Sequence, residues 1–333
     1  MVPFSILDLS PICDGQTVSE ALEATRLMAQ KAEACGYNRF WLAEHHGMPG
    51  IASAATSVLI GHVGAATKTI RIGSGGIMLP NHSPMVIAEQ FGTLAALYPG
   101  RVDLGVGRAP GTDMRTAMAL RRNLEAGAEN FPRDIMELQI LMGDADPEQP
   151  IRAYPGTGSH VPVWLLGSSH YSAHLAAALG LPYAFASHFA PDSLMDAIAI
   201  YRDRFQPSER LQKPKVMAGV MAVLADSDEE AQYLSTSLTQ QFLNLRRDVR
   251  VPFPRPVDNV DELGTPMERM GVEHTLRYAI IGSPETARKT LSNFLAETEA
   301  DEVIVSMPIH DVKARLHSVE LFSGLGQMAQ AAE

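Results

Sequence analysis

Cysteine is nearly missing from this chain. Cys13 and Cys35 are the only two in 333 residues, too few for a disulfide framework or a CxxC metal knuckle. Positive charge is also short: 27 Lys and Arg stand against 38 Asp and Glu, a net charge of −11, and no basic block occurs. A nucleic-acid surface needs clustered Lys and Arg to neutralise phosphates, so this composition speaks against one. No run of about 18 apolar residues is present, and the opening MVPFSILDLSPI carries no basic segment ahead of its apolar residues. Neither a signal peptide nor a membrane span is expected, and a cytoplasmic protein is. The HExxH spacing of helical zinc sites is absent as well.

What is there is a large stock of apolar residues, 46% of the chain, arranged in a repeating order. Short β-rich runs occur at Phe4–Leu9, Arg39–Leu42, Ile70–Gly73, Val102–Val106, Pro162–Leu166, Ala184–Ala186, Val216–Leu224 and Glu302–Val305. Amphipathic stretches lie between them, among them Glu20–Ala34, Pro84–Leu97 and Asp192–Phe205, and Ser83 is a candidate N-cap ahead of Pro84. Alternating strands and helices mean parallel strands joined by right-handed crossovers. Eight units predict an α/β fold of the TIM (β/α)8 barrel type. The chain exceeds the usual ~250 residues of that fold, so insertions are expected; they fall around 112–160 and 226–300. No linker or break in composition divides the chain, which reads as a single domain over 1–333.

In such barrels the reacting groups sit on loops after the C-terminal ends of the strands. Strand 2 runs straight into Glu44-His45-His46. Neighbouring residues on extended chain point to opposite sides, so the two imidazoles cannot easily share one metal. One would face the barrel mouth as an acid/base or hydrogen-bonding group, with Glu44 available to orient it. Strand 3 continues into GSGGIMLP, whose glycines suit a kink in buried chain or a close approach to a flat ligand. GVGRAPG, Gly105 to Gly111, is a poor dinucleotide fingerprint but presents Arg108 for an anion. GSSHYSAHLAAALG sets Ser168, Ser169 and Ser172 at the start of a helix, where amides and hydroxyls could cradle a phosphate or simply cap the helix. SHF and MPIHD follow strands 6 and 8.

These segments together resemble the bacterial luciferase-like flavin-dependent monooxygenases. The likeness covers GYNRFWLAEHH, TIRIGSGGIMLPNHSPMVIAEQFGTLAALYPGRVDLGVGRAPG, VPVWLLGSSHYSA, GLPYAFASHF and IIGSPETARKTL, nearly end to end. It implies a barrel that binds FMN in its mouth, receives it as FMNH2 from a flavin reductase, and forms a homodimer through helices near strands 2 and 3. Oxygen would be incorporated into a small, fairly apolar substrate, an aldehyde or another carbonyl compound. By the same resemblance His45 matches the family's catalytic histidine, with Glu44 in support. Ser74, Gly75 and Gly76 match a segment with a non-prolyl cis peptide behind the flavin ring. Arg108 matches a contact to the flavin phosphate, and Gly167, Ser168, Ser169 and Tyr171 match the phosphate loop. Gly107 stands where the light-emitting enzymes carry a reactive cysteine, which argues against light emission here. The proline-rich VPFPRPV, residues 251–257, is the expected lid.

Three other readings compete. A deazaflavin F420 oxidoreductase would share the barrel and a similar bulge. A flavin-binding protein without turnover would keep the fold but not need His45. A metal-dependent hydrolase could draw on His170, His188 and His310-Asp311, yet strand 1 ends in Leu7-Asp8-Leu9-Ser10-Pro11 without the HxH pair such enzymes use.

Overall fold

A computed structural model describes residues 2–120 and 129–327. Residues 121–128, part of the expected first insertion, lie outside the described residues. Eight parallel strands close into a ring in the order β1 (Phe4–Asp8), β2 (Arg39–Leu42), β3 (Arg71–Met78), β4 (Val102–Gly107), β5 (Val163–Gly167), β6 (Tyr183–Phe185), β7 (Val216–Leu224) and β9 (Glu302–Ser306), which returns to β1. The expected TIM barrel is what forms. A further strand, β8 (Ile280–Gly282), pairs only with the far end of β7, through Ala222 to Leu224. The sequence reading passed over it, because three apolar residues ahead of a helix carry no period of their own.

Alternation along the strands sorts side chains between the barrel interior and the helix layer. Outward residues such as Ile6, Phe40, Ile72, Leu104, Leu165 and Val305 join the main core beneath the helices. Inward residues stack in layers. At the bottom, the N-terminal ends of the strands contribute Ser5, Arg39, Asp103 and Glu302, all buried. Arg39 bridges Asp103 and Glu302 at 2.5 and 2.8 Å. Above them lie Leu7, Trp41, Trp164, Met217 and Ile304. The chain's two tryptophans meet edge to face there, ring centroids 5.5 Å apart, and the Arg39 guanidinium sits 4.9 Å from the Trp164 ring. The barrel is thus plugged below and open only above, where the loops gather.

The helices follow from local signals. Val18–Ala34 opens on a capping box, with the Thr17 hydroxyl accepting from the Glu20 N–H and the Glu20 carboxylate accepting from the Thr17 N–H. Its buried residues Ala21, Ala24, Thr25, Met28 and Ala32 recur at helical spacing. Pro84–Leu97 has the expected bounds, with Pro84 in its first turn, but the Ser83 side chain makes no capping bond. The two long insertions return to the same end of the barrel. One carries Phe131–Leu141; the other carries Asp228–Arg246 and Pro266–Thr275.

Candidate active site at the barrel mouth

The loops at the C-terminal ends of the strands enclose a cavity of about 980 Å3. That is at the upper end of the range for sites that hold a cofactor or a drug-sized ligand. Its floor is Leu7, Trp41 and Ala43, and its walls include His45, Gly75, Gly76, Arg108, Tyr171 and His188. Both insertions contribute, through Thr112, Asp113 and Phe131 on one side and Arg246 and Asp248 to Pro254 on the other.

At the tip of β2, alternation continues past the last paired residue. Ala43 and His45 face the cavity, while Glu44 turns away. The Glu44 carboxylate is 1% exposed and sits opposite four donors: Nε2 of His46 and Nε2 of His82, both at 2.8 Å, the Met78 N–H at 3.0 Å and Nδ2 of Asn81 at 3.4 Å. Burial alone would raise its pKa. The His82 bond and charge, the His46 bond and the Met78 amide outweigh that and hold it below the usual carboxylate range. The expected Glu44–His45 pair is therefore not made. Two residues adjacent on extended chain cannot turn to the same side, so Glu44 braces the β2 tip against the end of β3 instead. His45 Nδ1 is shut off from solvent and has no hydrogen-bond partner among the described residues. Burial pushes its pKa down, the charge of Glu44 opposing in part, which favours neutral imidazole.

β3 does not stop at Gly73. It runs through the glycines to Met78, with the register against β4 shifting between Ser74 and Ile77. The Gly75–Gly76 peptide is cis. A Cβ on Gly75 would lie 2.6 Å from Leu7 Cδ1, and one on Gly76 would lie 2.7 Å from the Gly105 carbonyl oxygen. Backbone bars a side chain at Gly76, a side chain at Gly75 would have to displace Leu7, and the pair leaves bare backbone on the cavity wall. Ser74 is buried, its hydroxyl donating to the Gly105 carbonyl at 2.8 Å, so it secures the bulge and does not line the cavity.

Arg108 follows β4 and lies over the Tyr171 ring, 4.2 Å from guanidinium to centroid. It has no carboxylate partner among the described residues. Tyr171 belongs to the helix His170–Ala178, whose N-cap Ser169 gives no side-chain capping bond. The Ser172 hydroxyl is turned inward, donating to the Ser169 carbonyl. The first amides of this helix are thus left for a ligand, beside an unpaired guanidinium, with Gly167, Ser168 and Ser169 on the same wall. Gly167 is required, because a Cβ there would lie 2.0 Å from Ser172 Oγ.

The histidines of the hydrolase reading do not converge. His170 lies 3.7 Å from Asp196, His310 is 3.1 Å from the Asp14 carbonyl, and His188 alone lines the cavity. No group of three or more His, Cys, Asp or Glu among the described residues is placed to hold a metal. The expected lid is tied down at several points: the Asp14 N–H donates to the Phe253 carbonyl and the Phe253 N–H to the Ile12 carbonyl, Arg255 pairs with the Asp14 carboxylate at 3.1 Å, and the Val257 N–H donates to the Thr236 hydroxyl. Sequence reasoning did not foresee Asp113 and Arg250, which pair at 2.8 Å across the mouth. Nothing in either local sequence signals a partner so distant in the chain.

The sequence profile of the luciferase-like monooxygenases matches residues 2–302. A protein called luciferase-like monooxygenase from Escherichia coli K12 is 53% identical over 320 residues, 96% of each chain. The N-acetyl-S-alkylcysteine monooxygenase of Bacillus subtilis is 32% identical, covering 97% of this chain and 98% of its own. Among solved structures, apo-MsnO8 superposes with a TM-score of 0.88 at 32% identity, over 98% of this chain and 99% of that one. At 16% identity the likeness shows the fold alone. It extends to the FMN-bound oxygenating constituent of 3,6-diketocamphane monooxygenase from Pseudomonas putida (TM-score 0.71, 97% of each chain). It extends also to an F420-dependent secondary alcohol dehydrogenase (0.69, 97% and 98%). This chain belongs to the luciferase-like monooxygenase family. No described helix is long and apolar enough to cross a membrane.

Proposed function

We propose that this protein is a flavin-dependent monooxygenase that takes up FMNH2 from a separate reductase and oxygenates a small, uncharged, largely apolar molecule. One observation carries the flavin assignment. The same cavity offers a bare Gly75–Gly76 wall and, at the neighbouring strand tips, an unpaired Arg108 beside the uncapped start of the helix His170–Ala178. A flat ring system with a phosphate tail needs both, and Arg108 and the helix amides would hold the phosphate. When bound, reduced flavin supplies the electrons that activate oxygen. The protein's part is to orient it and shelter it from water, with His45 handling protons beside the ring. Glu44 acts at one remove, keeping the β2 tip in place through His46 and His82.

The rest of the cavity suits an apolar substrate, with Met48, Phe189, Met221, Phe242 and Met307 on its walls. The N-acetyl-S-alkylcysteine monooxygenase, 32% identical, supports oxygenation of a small organic molecule, although its own substrate bears a carboxylate. We read residues 1–333 as one functional unit, since both insertions build one cavity, and as a cytoplasmic homodimer. Val58, Val86 and Leu97, exposed on the helices after β2 and β3, support the dimer.

Anaerobic titration of the purified protein with FMN, FMNH2 and F420, followed by admission of air, tests the assignment. Tight binding of FMNH2 and slowed flavin reoxidation on the protein are expected. Preference for F420 would replace FMN with the deazaflavin, and binding of none of the three would end the flavin reading.

A further inference from the structure

His188 has no place in the cofactor site described above, yet the fold makes room for it. It follows β6 and lines the cavity. Across from it on β7, Gly219 has no side chain, and a Cβ there would lie 2.5 Å from His188 Nδ1. The loop is fixed by the Ser187 hydroxyl, which donates to the Gly219 carbonyl at 2.6 Å. The Phe189 ring stands perpendicular to the imidazole at 4.8 Å. Held this firmly, the His188 ring still makes no hydrogen bond to any described residue. His188 is half-buried on the cavity wall, and an imidazole fixed there without a partner among the described residues presents its N–H to whatever ligand fills the cavity.

We propose that His188, seated in the notch left by Gly219, holds the substrate by donating a hydrogen bond to an uncharged oxygen, the carbonyl of an aldehyde or ketone. The charge state agrees: burial, and then the neighbouring His45, hold the His188 pKa down to about 4, so the ring is neutral at working pH. A neutral imidazole on apolar walls suits a carbonyl oxygen and gives a carboxylate no counter-charge. This inference rests on the monooxygenase reading for its chemistry, but its test does not require flavin.

The probes are 2-octanone and octanoate. Binding to the protein with and without FMN is followed by histidine ring NMR and by tryptophan fluorescence, since Trp41 lies in the cavity floor with Trp164 packed against it. In the FMN-loaded wild type, where the phosphate would occupy Arg108, 2-octanone is expected to shift the His188 ring signals, and octanoate to bind at least about tenfold more weakly at pH 7. His188→Phe keeps the ring's bulk without its donor and should weaken 2-octanone about fivefold, the worth of one net hydrogen bond. His188→Gln, which keeps an N–H, should recover most of that loss. Gly219→Ala, which pushes the imidazole out of its notch, should match His188→Phe. Affinity for FMN should stay within about twofold throughout, the magnitude of a contact not involved. Unchanged 2-octanone binding in His188→Phe, or octanoate binding to the FMN-loaded protein as well as the ketone does, overturns the proposal. If FMN fails to bind while 2-octanone still reports on His188, the flavin reading falls and the substrate contact stands.

Discussion

Arg250 and Asp113 lie 137 residues apart in the chain and meet at 2.8 Å over the barrel mouth. Each belongs to a different insertion, so one ion pair joins two segments that the barrel alone would leave independent. The Arg250 bond, then the Thr116 hydroxyl, hold the Asp113 carboxyl far below the usual range, so mild acid does not break the pair. Salt does weaken exposed pairs, since the screening length falls from about 10 Å at 0.1 M to about 3 Å at 1 M. FMN release in stopped flow is expected to quicken several-fold over that range. Asp113→Asn should release FMN quickly at every ionic strength. A variant with the wild-type salt slope would show that the pair does not govern access.

Glu44→Gln removes the carboxylate that accepts from His46, His82 and the Met78 amide. Because the folded pKa of Glu44 is depressed, its contribution is fully present above the unfolded value of about 4.3 and is lost as pH falls through the lower folded value. The variant should be less stable than wild type by about 1–3 kcal/mol at pH 7. The gap should close as the pH drops below about 4. Urea unfolding across pH measures this, and a gap that stays constant would mean the carboxylate's charge is irrelevant.

Arg39→Ala would strand Asp103 and Glu302 in the barrel floor without their shared cation. Breaking a buried pair from one side costs about 3–5 kcal/mol. Chemical denaturation should show a loss of that size, with FMN affinity retained because the tryptophan layer separates floor from mouth. A loss under about 1 kcal/mol, the worth of an exposed pair, would show that Asn38, Arg71 and Lys215, which also reach this pair of carboxylates, suffice without Arg39.

Arg108→Ala should weaken FMN about 10- to 100-fold, the worth of a charge-assisted hydrogen bond, and leave riboflavin affinity unchanged. Isothermal titration with both ligands separates phosphate recognition from ring recognition. Equal losses for the two would move Arg108 to the ring.

His45→Ala should leave FMN affinity within about threefold and lower product yield by about 10²- to 10⁴-fold, the usual scale of lost acid–base catalysis. Single-turnover product analysis is the check. Normal yield would take the catalytic role away from His45.

Much of the fold was legible because barrel strands carry strong local signals. Each of the eight was found, with β3 alone running well past its expected end at Gly73 to Met78, and the kink inferred from GSGG followed by Ile77-Met78 is the β3 bulge. The opposite facing of His45 and His46 was legible for the same reason, since it depends only on the period of extended chain. That period also shows why Glu44 could not have oriented His45. Contacts between distant segments left no local trace. Glu44 needed His82 from the turn after β3, Arg250 needed Asp113, and His188 needed the absence of a side chain at Gly219.

Strand order, the polar strand tips and the flat glycine wall were determined by the sequence alone, because periodicity and glycine's lack of a Cβ act over a few residues. The tertiary structure alone decided which of eleven histidines enter the cavity and which carboxylate meets which cation. Those outcomes depend on barrel closure, which brings residues hundreds of positions apart within hydrogen-bond reach and takes them out of water together.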